Sequence, residues 1–151
     1  MPSLRPEKSV RGNFRRVVPR LMRRYFRRGR RLVKARAAFP ELHQFRIRTK
    51  RVRYIAELYE ELFPKPLTRA VSEFRAIQQI LGALQDQSMV VDYFERRLLQ
   101  VRNQSRQSEY MRVLHRARVR QKSHREAFFR RWARLEKSGF ATRLLSAIKN
   151  V

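Results

Sequence analysis

An all-α, antiparallel helical bundle with an Arg-rich basic cavity or groove is what this 151-residue sequence predicts. Three observations carry that expectation. Only four glycines and six prolines occur, and four of the prolines stand at positions 2, 6, 64 and 66, where tails or turns accept them. Apolar residues recur at the helical period, and no run alternates apolar with polar residues as a strand would. Cations outnumber acids by 38 to 12, a formal charge of +26, and they line up at helical spacing.

The first helix is predicted from Asn13, a good N-cap, to Ala37. Its apolar arc is Val17, Val18, Leu21, Met22, Tyr25, Phe26, Leu32 and Val33, and Pro19 either fits its first turns or bends it. Phe39-Pro40 makes a turn into a second helix over Glu41 to Phe63, which Pro64-Lys65-Pro66 closes. Thr68 is expected to cap a long third helix, whose seam is Phe74, Ile77, Ile80, Leu81, Leu84, Val91 and Leu98. Gly82 and Asp86-Gln87-Ser88 are candidates for a bend or break within it. The polar stretch Gln100 to Ser108 reads as a turn or an exposed helical section. A fourth helix then runs from Glu109 to Lys137, with Gly139 past its end and a short fifth helix over Ala141 to Lys149. Residues 1–12 read as a basic flexible tail and 13–151 as one helical domain.

Composition narrows function. There is no cysteine, so disulfides, thiolate catalysis and Cys-based zinc sites are excluded. No apolar run approaches a membrane span, and the polar, basic N-terminus is not a secretory signal, which points to the cytoplasm. No P-loop, GxGxxG, HExxH or EF-hand pattern occurs. The densest carboxylates, Glu57, Glu60 and Glu61, lie on a helix beside arginines, where ion pairing is favoured over metal ligation. No catalytic residue, cofactor or metal is expected.

The cations fall into three stripes. On the second helix His43, Arg46, Lys50 and Arg53 share one side over roughly 15 Å, with Glu57 a turn further on. Like charges so stacked repel, so the stripe costs stability unless an anion neutralises it. On the first helix Arg20, Arg24, Arg27 and Arg31 run beside the apolar arc. On the fourth, Arg118, Lys122 and Arg125 lie between Met111, Leu114, Phe129 and Trp132, which suggests a basic cavity walled by helices. Arg dominates the basic set, favouring bidentate recognition of phosphate.

At these residues the sequence resembles the CHAD family of helical domains. His43-x-x-Arg46-Ile47-Arg48-x-Lys50-Arg51-Val52-Arg53-Tyr54-x-x-Glu57-Leu58 is similar to that family's basic-helix motif. Ile80-Leu81-Gly82-Ala83-Leu84-Gln85-Asp86 is similar to the Leu-Gly-x-x-x-Asp element that follows it. The likeness reaches over residues 14 to 135 and implies non-catalytic binding of inorganic polyphosphate in a basic pore between helices. Carried over by position, His43, Arg46, Lys50, Arg53 and Tyr54 match the family's anion-binding helix. Asp86 is expected to orient an arginine or a backbone group.

The family's usual domain holds two copies of this unit, whereas this chain has room for one. His115 and His124 lack the Leu-Gly-x-x-x-Asp sequel. Either the half-length unit works alone or two chains pair as a homodimer. The expectation is therefore a polyphosphate-binding protein associated with polyphosphate granules. An RNA- or DNA-binding protein is the alternative, because net charge does not distinguish phosphate polymers. An enzyme acting on polyphosphate lacks the carboxylates it would need, and a partner of an acidic protein is a further rival.

Overall fold

The structure is a computed structural model that describes residues 5–150. Among them are five helices and no strand: α1 (Val10–Lys34), α2 (Phe39–Glu60), α3 (Pro64–Leu98), α4 (Gln104–Lys137) and α5 (Phe140–Lys149). The all-α expectation holds, and several boundaries move for identifiable reasons.

Helix α1 begins three residues early, because Ser9 caps it by accepting from the Gly12 amide at 3.1 Å. Asn13 is buried instead, its carboxamide bonded to the backbone of Arg5 and Lys8, so it ties the preceding turn down. The first four residues of the expected tail lie outside the described residues. Pro19 is buried inside α1, and the helix continues through it. The helix ends in a Schellman turn: Ala37 N–H bonds Leu32 O and Arg36 N–H bonds Val33 O, with Arg36 left-handed at φ 49°.

Helix α3 starts at Pro64, where the missing N–H costs nothing, rather than behind a Thr68 cap. The Thr68 hydroxyl donates to the Pro64 carbonyl one turn back. No break follows at Gly82 or at Asp86–Ser88. There Ser88 Oγ donates to Leu84 O and accepts from Gln121 of α4 at 2.9 Å, which satisfies a buried hydroxyl. Asn103 caps α4 by accepting from Arg106 N, so residues 104–108 form an exposed helical section, one of the two forms expected for the polar stretch. Gly139, at φ 63°, closes α4 and opens α5 as expected.

The main core gathers α1, α2, α5 and the adjoining halves of α3 and α4. Tyr25, Phe26, Phe45, Phe74, Phe128 and Trp132 meet in it, with ring centroids from 4.9 to 6.4 Å apart. Tyr25 donates to Thr49 Oγ1 at 3.2 Å, since the Thr49 proton is given to Phe45 O. Burial pushes the Tyr25 phenol far above its ordinary value, outweighing that hydrogen bond.

The rest of α3 and α4 projects as a two-helix arm. Each helix is about 50 Å long at 1.5 Å per residue. The arm's own core is a separate cluster of Val91, Leu114 and Ala117, backed by Val90, Phe94 and Leu98. Met89, Tyr93, Leu99, Met111 and Val119 stay exposed on it.

Candidate anion-binding site

Helix α2 turns Leu42, Phe45, Thr49, Val52, Ala56 and Tyr59 to the core. That choice sets its two flanks. His43, Arg46, Lys50, Arg53 and Glu57 come round on the α3 side, while Gln44, Arg48 and Arg51 fall on the α1 side.

Along the α3 side the expected stripe stays together. Its two ends are pinned to α3 by glutamines: His43 Nδ1 bonds Gln85 Oε1, and Arg53 Nε donates to Gln78 Oε1 at 2.9 Å. With Oε1 as acceptor, Nδ1 carries the proton, which leaves Nε2 to accept when the ring is neutral and to donate when it is protonated. Gly82 lies between the glutamines on α3, and a Cβ there would meet nothing within 4 Å. The face is thus open where the stripe runs.

Its charges are unbalanced. Glu57 accepts from Arg53 at 2.7 Å and from Arg75 at 2.8 Å, so one carboxylate serves two guanidiniums. Among the described residues Arg46 and Lys50 have no carboxylate partner. The Arg46 Nε is buried without any acceptor, and a buried donor in that state costs on the order of 1–3 kcal/mol. The exposed Tyr54 ring lies under Lys50 Nζ at 5.6 Å and Arg53 Cζ at 4.4 Å, which holds both cations over one side of the helix.

From α4, Lys122 and Arg125 reach a groove shared with Ala38, Phe39 and Leu84, beside the His43 end of the stripe. Arg125 is partly committed there, donating to the carbonyls of Arg36 and Ala37. Arg118 points elsewhere: it is exposed and pairs with Glu95 at 2.7 Å. The inward cationic face expected of α4 is corrected accordingly, since Arg118 and Lys122 are both exposed and Met111 is too.

Helix α1 does not bring its stripe to this face. Arg24 lines a groove against α2, Arg27 lines a cavity against α5, and Arg20 and Arg31 are exposed. Asp86 is also corrected. It is exposed and makes no side-chain hydrogen bond or ion pair among the described residues, and its neighbour Gln85 bonds His43 instead.

Gln78 and Gln85 are residues of the candidate face that the stripe on α2 alone does not reveal. Their signal was available: with Gly82 they form an i, i+4, i+7 polar row opposite the cations.

The CHAD domain matches residues 2–95, more than half of the chain and both motif segments. The chain belongs to the CHAD family. The match ends within α3 of this CHAD protein, so α4 and α5 lie beyond it, although the likeness was expected to run to residue 135. The CHAD family is associated with polyphosphate binding rather than catalysis. Neither a curated protein nor a solved structure matches the chain. Among the described residues no cluster of His, Asp and Glu could hold a metal ion. No described helix is long and apolar enough to cross a membrane.

Proposed function

We propose that this CHAD protein binds inorganic polyphosphate, without catalysis, along the α2–α3 face, with the cytoplasm and polyphosphate granules as its setting. The observation that carries the reading is the uncompensated stripe: Arg46 and Lys50 lack carboxylates, Arg53 shares one, and the Arg46 Nε is buried without an acceptor. His43 and Tyr54 flank these cations, and Lys122 and Arg125 extend the positive field at the His43 end. Arg20, Arg24, Arg27, Arg31 and Arg118 contribute through the long-range field. Affinity comes from charge-assisted bonds to phosphoryl oxygens and from counterion release.

Selectivity must come from shape. A thin phosphate chain can follow the row of cations over the open ground at Gly82, whereas a duplex is too wide to meet them together. Polyphosphate is therefore expected to outcompete duplex DNA and tRNA at equal charge concentration and fixed salt, with both affinities falling steeply as salt rises. Displacement of polyphosphate by duplex DNA or tRNA at equal charge would select the nucleic-acid reading instead.

The same proposal includes a twofold pair of chains. Met89 and Tyr93 continue the α3 row of Gln78, Gly82 and Gln85 beyond the start of α2, yet they are 61% and 49% exposed. A bare apolar continuation of a ligand-binding row is what a second copy would cover. A solution mass measurement is expected to show dimers once polyphosphate offsets the +26 on each chain, and Met89→Asp is expected to prevent them. Monomers both with and without polyphosphate would refute the pairing.

A further inference from the structure

The opposite flank of α2 carries a second, chemically different site. Between α1 and α2 lies a groove of about 440 Å³ lined by Leu21, Tyr25, Ile47 and Val52 and rimmed by Arg24, Arg28, Arg48 and Arg51, with Gln44 at its edge. Its volume is in the range of small-molecule sites, about 300–1,000 Å³.

Two properties set it apart from the α2–α3 face. Its floor is apolar: Tyr25 and Val52 are buried, and Leu21 and Ile47 are half-buried. Its rim is cationic: none of the lining residues is acidic, and among the described residues none of the four arginines has a hydrogen-bond or ion-pair partner. Arg24 and Arg28 stand at i, i+4 on α1, and Arg48 and Arg51 at i, i+3 on α2, so each pair repels itself along its own helix. A ligand that relieves both pairs must place several negative charges between the helices.

Polyphosphate supplies the charge but gains nothing from the floor, since every unit of it is ionic and hydrated. The occupant that matches both halves has a flat apolar body joined to a short run of phosphates. We propose that this groove binds a nucleoside di- or triphosphate. The base lies against Leu21, Ile47 and Val52, and the phosphates span the guanidinium rim, where Arg offers bidentate geometry. The Gln44 carboxamide, a donor and an acceptor at the edge of the floor, reads the polar edge of the base. The site is distinct from the proposed polyphosphate face, and its fate does not depend on that reading.

The test is calorimetric titration of the full chain with ATP and with tripolyphosphate, which carry similar charge. ATP is expected to bind at least about tenfold more tightly, a difference of about 1.4 kcal/mol. Arg48→Gln/Arg51→Gln is expected to lower ATP affinity about tenfold or more. Ile47→Gln, whose folding is checked by circular dichroism, is expected to bring ATP down to the affinity of tripolyphosphate. The Arg46, Lys50 and Arg53 substitutions to Gln are expected to leave ATP binding near its original value. Equal affinity for ATP and tripolyphosphate in the unsubstituted chain would overturn the proposal. So would ATP binding that survives Arg48→Gln/Arg51→Gln, or that is lost equally when the α2–α3 stripe is removed.

Discussion

Replacing Arg46, Lys50 and Arg53 together by Gln is expected to lower polyphosphate affinity at least about a hundredfold while leaving the helices intact. Charge-assisted bonds are worth about 1.5–3 kcal/mol each, and partial solvent exposure reduces that, so three of them lost together exceed two decades. Gln matches the helix propensity of the residues it replaces. The change strands no acid, because Glu57 keeps Arg75 when Arg53 is gone. It also removes repulsion within the stripe, so the free protein should be at least as stable by urea denaturation. The comparison is the same substitution at Arg96, Arg97 and Arg102, which are exposed on and beyond the end of α3. That triple removes equal charge but should weaken binding only a fewfold, through the long-range field. Equal losses from both triples would show that the protein is a diffuse cationic surface with no binding face.

The largest effect on stability is expected at Trp132. It is 1% exposed, and its ring contacts those of Tyr25, Phe26, Phe45 and Phe128. Trp132→Ala should cost about 3–5 kcal/mol, a large share of the 5–15 kcal/mol that typical domains possess. Close approach of α1 is part of the same contact, because a Cβ on Gly29 would collide with Cζ2 and Cη2 of the indole. Gly29→Ala should therefore cost about 1–3 kcal/mol by overpacking, against the small gain usual for that change inside a helix. In a Trp132→Phe background the six-membered ring of the indole is absent, and so is its Nε1–H, which is buried without an acceptor. Most of the Gly29→Ala penalty should disappear there. Additive urea midpoints across that double-mutant cycle would mean that the two residues do not limit each other.

Much of this protein could be read from its residues alone. Helical periodicity, sparse Gly and terminal or turn prolines settle the all-α class, since those properties are local and need no partner. The row His43, Arg46, Lys50, Arg53 follows from spacing alone, and the family resemblance rests on the identities of those residues together with Leu81-Gly82. Helix starts were less legible. Ser9, Pro64 and Asn103 compete with Asn13, Thr68 and the polar stretch before Glu109, and the choice depends on which backbone donors the fold leaves unpaired.

What only the tertiary structure decided is which stripes meet. A helical wheel shows that Arg20, Arg24, Arg27 and Arg31 share a flank of α1, but not which neighbour that flank approaches. Packing of Phe45 and Val52 into the core rotates α2 so that its 43–53 row faces Gln78 and Gln85, while Arg48 and Arg51 face α1. Burial of Met22, Tyr25, Phe26 and Gly29 sets the rotation of α1 itself, which divides its arginines, Arg24 toward α2 and Arg27 toward α5. On α4, Glu95 draws Arg118 toward the arm, and the open carbonyls after α1 hold Arg125 at the other end. Charge spacing along one helix is a local property. The burial of aromatic side chains against several helices at once sets each helix's rotation, and with it the partners its cations meet.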